Sequence, residues 1–120
     1  MTDGHTLNPA AIQALRDLSP DGGQEFFQEL VAIYLADTPK HLAQLEDALN
    51  RQDAAVARRA AHTMKGSSGN FGAEELAKLA HEIEKACKSS NVAAATALLP
   101  EFRKQFATVV AALKQVAADG

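Results

Sequence analysis

The chain lacks several features that would place it in other classes of protein. It has no tryptophan, and aromatic residues make up only 5% of its 120 residues, so we expect a core of mostly aliphatic side chains. Its single cysteine, Cys87, excludes an internal disulfide and favours a reducing compartment. The N-terminus MTDGHTLNP has no apolar centre of a signal peptide, and no apolar run approaches the ~20 residues that span a bilayer. We therefore expect a soluble, cytoplasmic protein, unless the sequence was cut from a larger membrane-bound chain.

Charge and missing motifs exclude further functions. The net charge of −3 argues against a general nucleic-acid binder. The sequence has no glycine-rich P-loop, no kinase nucleotide motif and no obvious carboxylate pair for Mg²⁺, so we do not expect ATP binding. The Glu-x-x-His spacing of di-iron helical bundles is also absent. We expect no cofactor and no metal site on this chain.

Apolar residues recur at intervals of three and four, the period of helices, and no strand pattern occurs. Asn8 followed by Pro9 is typical of a helix start and predicts a short helix over 8–18. Its apolar side chains would share one side: Ile12, Leu15 and Leu18. The segment SPDGG at 19–23 then breaks the pattern.

Four longer helices follow. The first runs from Gln24 to about Gln52, and Pro39 within it predicts either a new helix capped by Thr38 or a kink in one long helix. The second begins after Asp53 and ends between Gly69 and Gly72.

The third long helix begins at Ala73, with acidic residues in its first turn and lysines in its last. The fourth follows Asn91 and reaches about Ala118, with a helix start or a kink expected at Pro100. Together the segments predict an all-α protein, an antiparallel up-down four-helix bundle with an additional short N-terminal helix. We assign residues 1–120 to a single domain, with the short helix at 8–18 and the bundle at 24–118.

The segment 53–73, DAAVARRAAHTMKGSSGNFGA, departs from ordinary helix composition. Gly66 and Gly69 lie within four residues of each other, before any plausible helix end. Each glycine within a helix costs about 1 kcal/mol relative to alanine. Two such glycines within four residues indicate that the absence of side chains at these positions serves a function.

A helical wheel of this segment separates two faces. At about 100° per residue, five residues fall within about 60° of His62: Arg58, Arg59, Lys65, Gly66 and Gly69. The opposite side is apolar or small, with the serines toward its edges: Ala57, Ala60, Met64, Ser67, Ser68 and Phe71. The wheel predicts an open, positive and flat face around one imidazole. A neutral imidazole is a nucleophile near neutral pH, and nearby cations stabilise a transferring phosphoryl group.

The run HTMKGSS at 62–68, followed by NFGA at 70–73, resembles the signature of histidine-containing phosphotransfer (HPt) domains. The family pattern is close to A-H-x-L-K-G-x-S/A, followed by a short run that ends in G-A. Met64 stands where leucine is commoner, which is a volume-conserving change. The hydrophobic spacing of most of the chain agrees with this resemblance.

The resemblance implies that His62 accepts a phosphoryl group on Nε2 from a phospho-aspartate of a response-regulator receiver domain. His62 then passes the group to the aspartate of another receiver, and the receivers supply Mg²⁺ and most of the catalysis. The chain is thus expected to be a phosphocarrier, not an enzyme. A sensor or hybrid histidine kinase is implied upstream. Because the exposed face is needed for a partner, we expect a monomer with no nucleic-acid or membrane partner.

Individual roles follow from the positions of the residues around His62. Lys65 is the candidate that stabilises the phosphoryl group, and Gly66 and Gly69 are candidates for partner docking. Arg58 and Arg59 are also docking candidates; each holds the phosphoryl group, meets an acidic partner or is simply solvated.

Family members often place a polar residue on the following helix, facing the histidine. Counting along this sequence puts Glu84 there, where glutamine is common in the family. Glu84 is expected to orient His62, to pair with Lys65 or to be solvated. The other histidines, His5, His41 and His81, receive no role. Cys87 falls on an apolar stripe and is assigned to the core.

Two other classes of function compete with this interpretation. A helical interaction module would bind a partner protein without being phosphorylated, but the presence of His62 with Lys65 argues against it. A metal- or haem-binding bundle is disfavoured because only one histidine is well placed.

Overall fold

The structure is a computed structural model that describes residues 6–19 and 24–119, and these ranges contain six α-helices and no strand. The helices are α1 (Pro9–Arg16), α2 (Glu25–Asn50), α3 (Ala54–Asn70), α4 (Glu74–Lys88), α5 (Val92–Ala97) and α6 (Leu99–Asp119). Helix α3 packs against α2 and α4, and α6 closes the bundle against the same two helices. The prediction of an all-α, four-helix bundle with a short N-terminal helix is confirmed.

Helix α1 begins where the sequence predicts and ends earlier. The Asn8 side chain accepts a hydrogen bond from the backbone N–H of Ala10 at 2.9 Å, and Pro9 is the first helical residue. The helix stops at Arg16, so Leu18 lies beyond it and is 60% exposed. The expectation that Leu18 shares the packed side of this helix is therefore wrong. The predicted break at 19–23 lies mostly outside the described residues.

The longest helix, α2, continues through Pro39. Of the two alternatives at this residue, the one that starts a new helix is wrong. Pro39 itself is exposed, whereas Tyr34 and Thr38 before it and Leu45 after it are buried. Burial of these side chains on one continuous stripe outweighs the local cost of a proline inside a helix. None of the described helices, α2 included, is both long and apolar enough to cross a lipid bilayer.

Pro100 marks a helix start, because it is the second residue of α6. Proline is well tolerated in the first turn, where its missing N–H has no partner within the helix. The chain after Asn91 therefore forms two helices, the short α5 and the long α6. Asn91 caps α5 by accepting a hydrogen bond from Ala94 N–H at 3.1 Å.

The buried face of α3 consists of small residues and one methionine: Ala57, Ala60, Ala61, Met64 and Ser68. Ser68 is fully buried and its hydroxyl lies 2.8 Å from the hydroxyl of Tyr34 on α2. The Tyr34 ring also packs edge-on against Phe71. These contacts fix α3 against α2, and they confirm the buried side that the helical wheel predicts.

Cys87 is on α4, and its side chain is buried in the core of the bundle, with 3% of the residue exposed. Burial raises the pKa of its thiol. A buried cysteine whose thiolate is disfavoured is a packing residue, as the sequence indicates.

The turn between α3 and α4 depends on Gly72. Its φ of +70° lies in the left-handed region that favours glycine. Its carbonyl accepts a hydrogen bond from Asn8 N–H at 2.9 Å, which joins the start of α1 to this turn. A Cβ on Gly72 would lie 2.6 Å from Asn8 Cβ and 2.9 Å from Ala11 Cβ. Both the backbone angle and the close approach of α1 require glycine here.

We predict that Gly72→Ala lowers the free energy of unfolding by roughly 2–4 kcal/mol, because it adds left-handed strain to a steric clash. Urea denaturation measures the change. Gly66→Ala is the matched control: Gly66 is inside α3 and a Cβ there meets nothing within 4 Å. That variant should gain about 0.5–1 kcal/mol. Equal effects of the two substitutions would contradict this account of Gly72.

Candidate functional site

Helix α3 presents His62 to solvent. The helix is capped by Asp53, whose carboxylate accepts a hydrogen bond from Val56 N–H at 3.2 Å. Because Ala61 and Met64 on either side are fully buried, His62 is directed away from the core. The side chain of His62 is 65% exposed. A partner molecule can therefore reach the imidazole ring.

Glu84 on α4 lies behind the imidazole and is only 8% exposed. Its Oε2 is 2.9 Å from His62 Nδ1, and its Oε1 is 2.9 Å from Lys65 Nζ. The contact between Lys65 and Oε1 has an unfavourable angle for a hydrogen bond and is an ion pair. From the sequence, Glu84 was expected to orient His62, to pair with Lys65 or to be solvated. The structure shows contacts with both His62 and Lys65, and the expectation of a solvated side chain is wrong.

The contact with Glu84 fixes the tautomer of a neutral His62. An ionised carboxylate only accepts hydrogen bonds, so Nδ1 must carry the proton and donate it to Oε2. The lone pair then resides on Nε2, the ring nitrogen that Glu84 does not contact. The arrangement produces a nucleophilic nitrogen on the exposed part of the ring.

The environment of Glu84 keeps it ionised. Burial is the largest single influence and acts to raise its pKa. The close approach and the positive charges of Lys65 and His62 together exceed that influence, so the pKa of Glu84 is lowered from its ordinary value of 4.5. The carboxylate is therefore available as an acceptor at neutral pH.

The cations around His62 differ in their surroundings. Lys65 is 32% exposed at its side chain, and its charge is balanced by Glu84. Arg58 and Arg59 are exposed, and neither makes a salt bridge with a residue in the described ranges. The net positive charge of this face therefore comes from the two arginines, while Lys65 is held toward the interior.

Gly66 and Gly69 lie inside α3 on its exposed side. A Cβ built on either residue meets nothing within 4 Å. Neither glycine is required by packing among the described residues. The surface next to His62 is flat because these two positions have no side chains.

His81 is a residue of the site to which sequence reasoning assigned no role. It lies on α4 one turn before Glu84, and its Nδ1 is 3.9 Å from Glu84 Oε1. Its side chain is 50% exposed. Residues three apart on a helix are neighbours, so the spacing of His81 and Glu84 was the signal that could have identified it. Across the described residues, no group of three or more His, Cys, Asp and Glu side chains is arranged to hold a metal ion.

Comparisons with known proteins identify the family and the fold. The model of the Hpt domain family matches residues 29–117. The crystal structure of histidine-containing phosphotransfer protein B from Pseudomonas aeruginosa PAO1 superposes with a TM-score of 0.87 at 29% identity, covering 96% of each chain. The phosphorelay intermediate protein rdeA of Dictyostelium discoideum is 31% identical over 85 residues, which are 71% of this chain.

A helical bundle with an exposed histidine on one helix, backed by a polar residue of the next, defines a class of phosphocarrier domains. The chain belongs to the Hpt domain family. It spans about a third of the length of the Dictyostelium relative, 34%, and nearly the whole of the Pseudomonas protein. The resemblance of the segment 62–73 to the family signature is confirmed.

The lowered pKa of Glu84 predicts an acid-sensitive contribution to stability. Since this pKa is lower in the folded chain than in the unfolded one, the carboxylate stabilises the fold above the unfolded-state value. That contribution is lost as the pH falls through the folded-state value, which lies below 4.5. Glu84→Gln should therefore reduce the loss of stability between about pH 7 and about pH 3, as measured by urea denaturation.

The matched control is Glu82→Gln, an exposed acid on the same helix that pairs with Lys85 at 3.5 Å. It should retain the wild-type sensitivity to acid. If Glu84→Gln also retains it, Glu84 does not contribute in this way.

Proposed function

We propose that this chain is a phosphorelay intermediate that carries a phosphoryl group on Nε2 of His62. The supporting observation is the exposed imidazole whose Nδ1 contacts the buried carboxylate of Glu84 at 2.9 Å. That contact selects the tautomer with a free lone pair on Nε2. The proposal agrees with membership of the Hpt family and with the phosphorelay role of the Dictyostelium relative.

In the proposed reaction, the donor is the acyl phosphate of a phosphorylated aspartate on a receiver domain. The Nε2 lone pair attacks phosphorus, an N–P bond forms, and the P–O bond to the aspartate breaks with its electron pair leaving on the carboxylate. The proton on Nδ1 stays in place and is shared with Glu84, which stabilises the positive charge that develops on the ring. Onward transfer to a second aspartate reverses these steps. Mg²⁺ is provided by the receiver, not by this chain.

Lys65 and the flat surface have complementary roles in this proposal. Lys65 lies three residues after His62 on the same helix, so its ammonium can turn toward the oxygens of the phosphoryl group. Gly66 and Gly69 allow the surface of the receiver to approach Nε2 closely. Arg58 and Arg59, exposed and without salt bridges in the described ranges, attract an acidic partner surface. A histidine kinase stands upstream of the first receiver.

We predict that His62→Gln abolishes labelling. The protein is mixed with a receiver domain carrying radioactive phosphate, and the transferred label should be acid-labile and base-stable, as expected of a phosphohistidine. Mass spectrometry under neutral conditions should locate it on His62. His41→Gln is the control and should take up label at the wild-type rate. Labelling of His62→Gln at the wild-type level would overturn the proposal.

A second prediction tests the docking surface. Gly66→Leu should leave the bundle folded, because a side chain at this position enters open space. Transfer from a phosphorylated receiver should slow roughly tenfold or more, the order expected when a close interface contact is blocked. Phosphorylation by a small-molecule phosphodonor, which needs no docking surface, should change little.

Ala107→Leu is the matched control, since Ala107 is exposed on α6 and this helix packs against α2 and α4, not α3, as its principal neighbours. It should transfer at the wild-type rate. A wild-type rate of transfer to Gly66→Leu would show that the glycine is not needed for the receiver domain to approach His62. Unfolding of Gly66→Leu would show that it serves packing instead.

A further inference from the structure

Glu84 is the one acidic side chain among the buried polar residues of the described ranges, which are otherwise Thr38 and Ser68. Three basic groups approach its two oxygens. His62 lies 2.9 Å from Oε2, while Lys65 at 2.9 Å and His81 at 3.9 Å both face Oε1. Oε2 therefore has His62 as its partner, whereas Oε1 is in contact with Lys65 and has His81 nearby.

Phosphorylation of His62 would bring a second anionic group, besides Glu84, within reach of Lys65. A phosphoryl group carries a charge of about −1.5 to −2, which exceeds that of a carboxylate and attracts the ammonium away from Glu84. Oε1 is enclosed by protein and already lacks a well-aligned hydrogen bond. A buried carboxylate oxygen that loses its cation is destabilising unless another donor replaces it.

We propose that His81 is a positioning residue of the phosphotransfer site, which replaces Lys65 on Oε1 of Glu84 when Lys65 turns to the phosphoryl group. The half-exposed ring needs to move by only about 1 Å to bring Nδ1 from 3.9 Å to hydrogen-bond distance. The exchange keeps Glu84 ionised and bound to His62 throughout the transfer. This inference rests on the proposed phosphorylation of His62.

Two of the three lysines of α4 are engaged elsewhere. Lys78 pairs with Glu75 at 3.8 Å, and Lys85 pairs with Glu82 at 3.5 Å. The third, Lys88, is exposed in the last turn, and no ion pair joins it to Glu84. The described charged and titratable groups that contact Glu84 are thus His62 and Lys65 from α3 and His81 from its own helix. His81 is the replacement that the geometry provides.

The first test requires no phosphorylation. Lys65→Ala removes the resting partner of Oε1, so His81 should occupy it permanently. Nitrogen-15 NMR of the His81 ring at neutral pH should then show a changed tautomer balance and slower exchange of Nδ1–H than in the wild type. Adding Glu84→Gln to Lys65→Ala should restore the wild-type signals. Identical His81 signals in the wild type and in Lys65→Ala would overturn the inference, whether or not His62 is phosphorylated.

The second test is a double-mutant cycle on phosphorylation by a small-molecule phosphodonor. His81→Ala should slow the reaction roughly two- to fivefold, the size expected of a partly exposed ion pair, because Lys65 is then retained by Glu84. In the Lys65→Ala background it should have little further effect, since the two residues act through one oxygen. His81→Lys should restore the rate, and Lys85→Ala on the same helix is the control that should leave it unchanged. Independent, multiplicative effects of His81→Ala and Lys65→Ala would overturn the inference. Absence of any label on His62 would instead overturn the proposed function.

Discussion

The buried carboxylate of Glu84 is the interaction on which the site depends. Removing a carboxylate from water costs several kcal/mol, and this cost is acceptable only where cationic or hydrogen-bonding partners surround the group. Here the partners are two side chains of α3, His62 and Lys65. The same contacts therefore hold α3 against α4, determine the tautomer of His62 and restrain Lys65. The need to compensate the buried charge of Glu84 thus determines which nitrogen of His62 carries the proton and where Lys65 lies.

The two faces of α3 make this arrangement possible. Its inner face carries alanines, one methionine and Ser68, all buried, which allows the helix to pack against both α2 and α4. Its outer face exposes His62 beside Gly66 and Gly69, where no side chain limits access. The left-handed turn at Gly72 then returns the chain antiparallel to α3. Glu84 is twelve residues after this turn and His62 ten residues before it. At about 1.5 Å per residue the two side chains reach nearly the same level of the bundle.

The likeness to histidine-containing phosphotransfer protein B of Pseudomonas aeruginosa extends over 96% of both chains, although only 29% of the residues are identical. The two chains therefore share an architecture, although most of their residues differ. The carboxylate of Glu84 accepts from Nδ1 as an amide oxygen does, but it also attracts every cation within reach. This explains why Lys65 and His81 both face it here, and why its charge links residues of two helices.

Local sequence patterns were sufficient to predict the class of fold, most helix boundaries and His62 as the candidate histidine. Each of these follows from local patterns: apolar spacing, the cap residues Asn8, Asp53 and Asn91, and the signature at 62–73. The resemblance to the family also led to Glu84 as the residue that faces His62, because family members often place a polar residue on the following helix. The continuity of α2 through Pro39 depends on tertiary packing, since burial on both sides of the proline outweighs its local preference. The pairing of Lys65 with Glu84 and the approach of His81 to the same oxygen also depend on packing between helices. These contacts depend on side-chain geometry across an interhelical interface, and a one-dimensional pattern specifies which residues face each other but not which atoms meet.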